Sequence, residues 1–503
     1  MQYCYNAPMI LDPWANVARL NPTETRALQN QKLQEFITQQ LYPFSPHYRR
    51  IFDQQGIKPD TIRSIGDLKH LPFTSKADFV ATPEHPDRYK EFALQPDKEK
   101  INRFWPVPKK LRLLASGLIE GKQVAQERIS REYRPCFMTF RGGTTGKPVP
   151  FLYSIHDINN LYVSGSRMLQ LFEIKSDERV FNMFPYAPHL AFWQVVFGGF
   201  AECLTVFSSG GGKCIGTEGN IGAILRMRPS VIMGVPSYVY HVLRMAAEKK
   251  SRLDSVKKIV LGAARVTEGF KAKLTELLVS MGASDVAIFG TYGFTEAKAA
   301  WAECPTKPGV SSGYHLYPDK EIFEVVDPDT GEVKKEGEDG EIVYTALDTR
   351  CSTVVRYRTG DYVKGGIRWE PCPYCGRTVP RLSSDITRLS DIKGLDFSKI
   401  KGTFVNLNDF ANVLNDMEAV KEWQIEIHKK DNDPHEVDEV AVYCTPKEGV
   451  DRGRLEENIR KTIFGATEVS PNQVVFVTLE DMVKRLELET ANKERKILDN
   501  RPQ

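Results

Sequence analysis

The chain has 503 residues, 41% hydrophobic and 26% charged, the composition of a globular protein too long for one ordinary core. Its 68 Lys and Arg against 65 Asp and Glu leave a formal charge of +3, a balance that argues against nucleic acid as main partner and against a polybasic membrane anchor. No window approaches the roughly eighteen apolar residues of a membrane span. The start, MQYCYNAPMILDPW, lacks the basic and apolar runs of a secretory leader. Nine cysteines, an odd number, point to a reducing cytoplasm rather than a disulfide framework.

Residues 22–54 predict a helix, a break at Pro43 and a second short helix, with Leu28, Leu33, Phe36, Ile37 and Leu41 at helical spacing. The string LKHLPFTSKADF, residues 68–79, reads as a helix end, a turn at Pro72 and a new helix capped from Thr74 or Ser75. Residues 83–134 are rich in Pro, Lys, Arg and Glu and read as a surface insertion with one helix near 118–132. The same stretch also suits a lid or an oligomer contact. Next comes TFRGGTTGKP, Thr139 to Pro148, whose glycines, threonines and lysine supply the backbone and hydroxyl donors that a polyphosphate needs. It is not a Walker A loop, because Pro148 follows Lys147 where Ser or Thr would be required.

From this loop onward the rhythm is α/β. A helix at 156–173 and a strand from Val180 precede the apolar runs LTVF (204–207), SVIMGV (230–235), KKIVLGA (257–263) and DVAIFGTYG (285–293). Such short runs between helical stretches predict a parallel sheet with functional loops at the carboxyl ends of its strands. The Phe197–Phe200 run with its two glycines predicts either close packing or room for a ligand. Residues 321–363 alternate around a DPDTG turn and predict antiparallel hairpins. A hydrophilic stretch near 383–402 then leads to helix 408–417, strands WQIEIHK and EVAVYCT, helix 451–464 and strand QVVFVTL. The fold class is α/β: a large multi-sheet domain over 1–387 and a small mobile α+β domain over 388–503.

Three further stretches share the chemistry of the glycine loop. Tyr292-Gly293-Phe294-Thr295-Glu296 places an aromatic face, a hydroxyl and a carboxylate at a strand end, suited to a purine, a phosphate oxygen and Mg²⁺, although a plain strand-to-helix turn would look the same. In Tyr357-Arg-Thr-Gly-Asp361, the carboxylate can accept both hydroxyls of a ribose or merely cap a turn. The tail ANKERKILDNR carries Lys493, either a solvated cation or one that neutralises charge developing at a phosphoryl or acyl centre. Cys372-Pro-Tyr-Cys375 has the spacing of a zinc knuckle; with Cys304 and His315 upstream it would complete a Cys₃His set for a structural ion.

In this order, these stretches resemble the adenylate-forming superfamily of acyl-CoA synthetases, peptide-synthetase adenylation domains and luciferases, and within it the phenylacetate–coenzyme A ligase branch. YRRIFDQQGIKPDTIRSIGDLKHLPFTSKADF, LGAARVTE, YGFTEA, YRTGD, CGRTVPRL and ANKERKILDNR carry the resemblance, which covers residues 25–82 and 134–503. It implies that a carboxylate attacks the α-phosphate of Mg-ATP, and that the thiol of coenzyme A then displaces AMP. Thr144, Thr145, Gly146 and Lys147 would cover the β- and γ-phosphates. Gly262, Ala263, Ala264, Tyr292 and Gly293 would frame adenine, Thr295 the α-phosphate and Glu296 the Mg²⁺. Asp361 and Arg388 would take the ribose, and Lys493 would be the adenylation lysine. The acid would lie among Tyr186, Phe192, Trp193, Pro236, Ser237 and Tyr238, whose aromatic character implies an aryl or other hydrophobic acid, though aromatic residues also serve as core. A homodimer is also implied.

Three departures stand out. Arg141-Gly142 replaces two small hydroxyl residues, Ala264 stands where the branch commonly has Glu, and RLSDIKGLDFSKIKG holds a few extra residues at the expected hinge. They, with residues 83–134, keep two alternatives open: transfer of the acyl group to an amine or a carrier-protein thiol, and a non-catalytic nucleotide-binding homologue.

Overall fold

The computed structural model describes residues 12–83, 85–141, 149–186, 189–389, 397–400, 403–432, 437–467, 469–487 and 495–501. The amino-terminal layer is helical. Helix Pro22–Phe36 starts at a capping box in which Asn21 and Glu24 satisfy each other's backbone N–H, with Pro22 in the first turn. The chain passes through a π turn at Ile37–Leu41 and breaks at Ser45, which caps helix Pro46–Gln55. Pro43 itself sits inside the last turn, so the break is made by the cap and not by the proline. Residues Ile65–His70 and Lys76–Phe79 are 3₁₀ turns; Ser75 caps the second.

Residues 83–134 correct the expectation of a single helix. They form three, Lys98–Phe104, Val107–Ile119 and Lys122–Tyr133, divided by Pro106 and by Gly121 in the left-handed region. The group is anchored, because Phe44, Leu94, Ile101, Trp105 and Tyr133 share one buried cluster. Tyr133 also donates to Gln40 at 2.7 Å, and Arg350 Nε to Glu132 at 2.9 Å.

Strands β1 (Phe137–Arg141) and β2 (Val149–Tyr153) form an antiparallel ribbon that brackets the glycine loop. Strands β3 (Arg179–Asn182), β4 (Thr205–Ser208), β5 (Val231–Gly234), β6 (Lys258–Leu261) and β7 (Ala287–Phe294) make the expected parallel sheet, in the order β7-β6-β5-β3-β4. The sequence rhythm did not reveal that this sheet continues antiparallel through β8 (Ala299–Ala302) and β9 (Tyr314–His315) to β14 (Arg381–Leu382) and β13 (Ile367–Arg368). A second sheet pairs β10 (Glu321–Val326), β11 (Gly340–Ala346), β12 (Tyr357–Val363) and β15 (Ile386–Arg388), all antiparallel. Helices Ile155–Leu171 and Leu190–Ala201 cross at their glycines: a Cβ on Gly165 would lie 2.6 Å from Gly198 Cα. The paired glycines at 198 and 199 therefore serve close packing.

Towards the carboxyl end, β16 (Phe397–Ile400) and β17 (Thr403–Asn406) form a hairpin within the expected hinge stretch. The last sheet has the order β20-β19-β18-β21, from β18 (Val420–Lys429), β19 (Asp438–Pro446), β20 (Gln473–Phe476) and β21 (Ile497–Asp499). Helices Leu407–Asp416 and Arg452–Thr467 cover it over a core of its own, including Phe410, Trp423, Ile425 and Ile459. Helix Leu479–Arg485 and β21, parallel to β18, lie outside the expected pattern.

One buried acid makes stability depend on pH. Glu321 accepts from Trp301 Nε1 at 2.5 Å and from Tyr317 N at 2.8 Å, yet burial pushes its pKa from 4.5 up to about 8. The folded chain thus holds a proton that the unfolded chain releases, so Glu321 lowers stability as pH rises from about 4.5 through 8. Glu321→Gln keeps a neutral side chain of the same shape. Urea midpoints measured at about pH 5 and pH 8.5 should separate less in the variant than in the wild type; equal separation would refute the assignment.

Candidate active site

Strand order fixes where a ligand can enter. β4 lies on one side of β3 and β5 on the other, so the connections diverge there and leave a crevice at the carboxyl ends. Asn182 ends β3 fully buried and organises that edge. Its Nδ2 donates to Phe192 O (3.3 Å) and Ser208 Oγ (3.1 Å), while its Oδ1 accepts from Phe184 N (3.1 Å). Gly262 follows the end of β6, and its N–H reaches Gly234 O at 3.2 Å. A Cβ at Gly262 would stand 2.3 Å from Thr291 Oγ1, a hydroxyl that caps Leu261 O, so only glycine lets β6 and β7 close at this point. Ala263 follows at φ +66°, a left-handed conformation uncommon for alanine, and Ala263 and Ala264 are exposed. Arg265 pairs with Asp385 at 2.8 Å.

The Tyr292 and Asp361 motifs meet. Tyr292 on β7 donates to Asp361 Oδ2 at 2.9 Å, and Arg388 on β15 pairs with Asp361 Oδ1 at 2.8 Å. β12 and β15 are in register at these two residues, and Thr359 Oγ1 accepts from Asp361 N at 3.0 Å. Burial, then the Asp361 charge and hydrogen bond, drive the Tyr292 phenol well above its usual value, so it stays a donor. Its ring lies near those of Trp301 and Tyr314, with centroids 5.8 and 6.0 Å away. Gly293 is held by the tight pairing of β7 and β8: a Cβ there would lie 2.7 Å from Ala300 Cβ.

Thr295 opens the 3₁₀ turn Thr295–Ala297, half-buried, and Glu296 beside it is buried, with Tyr357 donating to its Oε1 at 2.5 Å. Lys298 follows with φ +57°, buried, and donates to the carbonyl of Cys351. Its ammonium also lies 3.4 Å from Asp157. Burial opposes ionisation of Asp157, but Lys298, His156 and the N–H groups of Ser154 and Arg350 overcome it and hold this carboxyl below its usual range. Tyr357, Lys298 and Asp157 escaped the sequence reading. Only Tyr357 carried a signal, as the first residue of YRTGD.

The six residues expected around the acid fall into two groups on either side of a glycine run. Tyr186, largely exposed, packs on Phe192 and Trp193 with ring centroids at 5.3 and 6.1 Å. Pro236 opens helix Pro236–Glu248 after β5, Ser237 is half-buried, and Tyr238 is buried with its hydroxyl accepting from Asn220 Nδ2 at 3.0 Å. Between them runs Ser209-Gly-Gly-Gly212. A Cβ on Gly210 would lie 3.0 Å from Tyr186 Cβ, and one on Gly212 3.0 Å from the Tyr238 ring. This glycine run is the visible signal that the sequence reading passed over.

Cys304, His315, Cys372 and Cys375 converge, with all four ligating atoms within 4.8 Å of one another. The Cys304 and Cys372 sulfurs are 3.7 Å apart, and Cys375 Sγ is 3.3 Å from His315 Nε2. His315 Nδ1 faces Ala302 O at 3.2 Å, which turns Nε2 toward the sulfurs. Hydrogen bonds from Cys304 and Cys372 hold the Cys375 thiol far below its ordinary value. Thr144, Thr145, Gly146, Lys147 and Lys493 lie outside the described residues.

The AMP-binding enzyme family model matches residues 68–346, more than half of the chain. The chain belongs to the AMP-binding enzyme family. The family match ends before Asp361, Arg388, Cys372 and Cys375. The phenylacetate-coenzyme A ligase of Aromatoleum evansii is 28% identical over 366 residues, which cover 71% of this chain and 70% of that one. The enzyme of the same name from Pseudomonas putida is 25% identical over 483 residues, 93% of each chain. A crystal structure of 2-hydroxyisobutyryl-CoA ligase in the postadenylation state shares the fold, with a TM-score of 0.73 at 18% identity over 97% of this chain and 92% of that one.

Proposed function

We propose that this AMP-binding enzyme is an acid–thiol ligase that joins a hydrophobic, aryl-type carboxylic acid to coenzyme A at the expense of ATP. The observation that carries the reading is the meeting of Tyr292, Asp361 and Arg388 where β7 faces the β12–β15 pair. The acid's carboxylate oxygen attacks the α-phosphorus of ATP and pyrophosphate leaves. The thiol of coenzyme A then attacks the acyl carbon, the thioester forms, and AMP departs with the bonding electrons. Asp361 takes the ribose hydroxyls with Arg388 beside it, the Gly262–Ala264 turn and Tyr292 border adenine, and Thr295 meets the α-phosphate. Thr144, Thr145, Gly146 and Lys147 cover the outer phosphates. Glu296 would supply one carboxylate oxygen to a Mg²⁺ ion, which would neutralise charge on the phosphates. The phenylacetate ligases among the relatives and the rings of Tyr186, Phe192 and Trp193 support an aryl acid. Both cosubstrates belong to the cytoplasm, which is where we place the reaction.

The division into a large domain, 1–387, and a small mobile one, 388–503, is part of this proposal, with Lys493 delivered by the small domain to the reacting phosphorus. Lys493→Ala should lower acid-dependent AMP formation by about 10²–10³-fold while ATP binding is retained. Unchanged turnover would remove Lys493 from the reaction. AMP formation that ignores coenzyme A, yet still needs the acid, would transfer the second step to an amine or carrier-protein acceptor.

Zinc is proposed at the Cys₃His cluster. Tetrahedral zinc with Zn–S bonds of about 2.3 Å places its sulfurs about 3.8 Å apart, close to the 3.7 Å between Cys304 and Cys372. Four protein donors close the coordination shell, so the ion is structural. It fastens the segment after β8 to the β13–β14 loop. Elemental analysis should find about one zinc per chain, and Cys372→Ser/Cys375→Ser should lose the metal and lower the melting temperature. Full metal loss with an unchanged melting temperature would remove the structural role.

A further inference from the structure

The three helices of residues 98–134 leave a face that the proposed reaction does not use. In helix Val107–Ile119, Lys109, Leu113 and Ser116 are half-buried or buried, and the Lys109 ammonium lies 3.9 Å from the ring centroid of Trp105, which precedes the helix. The opposite stripe, at i, i+4, i+7 and i+11, is Val107, Leu111, Leu114 and Leu118, exposed by 61, 58, 62 and 87%, and Ile119 beside Leu118 is 84% exposed. The turn Leu118–Lys122 is exposed throughout, and it is rigidly mounted. Arg128 donates to Ser116 Oγ at 2.8 Å and pairs with Glu120 at 2.6 Å. Bulky side chains at a fixed, fully exposed tip are uncommon unless something covers them.

Charge indicates what that is. Residues 98–134 contain ten Lys and Arg against four Glu, a local excess of six in a chain whose total is +3. The overall balance therefore conceals a basic segment. Arg128 and Arg131 are paired with Glu120 and Glu127, but Lys110 and Arg112 flank the apolar stripe and Lys122 closes the tip. A second copy of the chain would bring like charges together across the same face. An apolar ridge between cations is instead complementary to an anionic lipid surface: side chains enter the acyl boundary while ammonium and guanidinium groups meet headgroup phosphates. We propose that the hairpin Val107–Tyr133 docks the enzyme on anionic membrane surfaces, with Leu114, Leu118 and Ile119 inserted and Arg112 and Lys122 on the headgroups.

Vesicle co-sedimentation of the full chain tests this. Wild type should pellet with phosphatidylcholine vesicles containing about 30% phosphatidylserine at about 0.1 M salt, stay in solution with phosphatidylcholine alone, and be released at about 0.5 M salt. Leu118→Glu/Ile119→Glu should reduce the bound fraction by about tenfold or more with an unchanged melting temperature, and Arg112→Glu/Lys122→Glu should also reduce it. Wild type left in solution with anionic vesicles, or glutamate variants that pellet as wild type does, would overturn the proposal. So would a wild-type dimer that Leu118→Glu/Ile119→Glu splits into monomers, because the face would then belong to a second copy.

Discussion

The Asp361 carboxylate is the joint on which the site depends. Tyr292 reaches it from the parallel sheet, while Arg388 reaches it from the neighbouring strand of the antiparallel sheet. Without Asp361, Tyr292 would lose its acceptor and Arg388 the anion it faces across the β12–β15 pair. Hydrogen bonds to a charged group contribute about 1.5–3 kcal/mol each, enough to hold the Tyr292 hydroxyl on Asp361 before any nucleotide arrives. Arg388 is half exposed, so solvent screens its share and the tyrosine bond is the firmer of the two. In the proposed reaction a ribose would trade its hydroxyl donors for these protein donors, at a carboxylate already oriented to accept them.

Below this joint the scaffold is over-determined. Thr291 against Gly262 and Asn182 across the loop after β3 each hold one strand end relative to the next, and Lys298 with Asp157 holds the end of β7 to helix Ile155–Leu171. Cys304 and His315 meet Cys372 and Cys375 of the β13–β14 loop at the antiparallel extension. Each device acts at a loop near a carboxyl strand end or at the antiparallel extension, where backbone alone would leave the geometry loose.

Much of this was legible in the sequence, for identifiable reasons. β3, β5 and β6 announced themselves as short apolar runs because they are buried on both faces, and the Cys372–Cys375 spacing marked half of the Cys₃His set. The continuation into β8, β9, β14 and β13 was hidden because two-residue strands such as Tyr314–His315 carry no periodicity. β21 was hidden for a similar reason: it is short and half-buried, and it gains its place only by pairing with β18. Lys298 and Asp157 were invisible because a buried ion pair between residues remote in sequence leaves no local pattern. The segment 83–134 misled because its composition suggests solvent; its apolar stripe faces outward, so periodicity marks a helix without marking a core. The near balance of charge over the whole chain hides an excess of six cations over residues 98–134.

The path of a single oxygen atom decides whether the acid is activated at the α-phosphorus. With ¹⁸O-carboxylate phenylacetate, ATP and coenzyme A as reactants, the phosphate group of the released AMP should carry one labelled oxygen, and pyrophosphate none. Label in inorganic phosphate with ADP as the other product, or AMP without label, would contradict an acyl-adenylate and with it the proposed reaction.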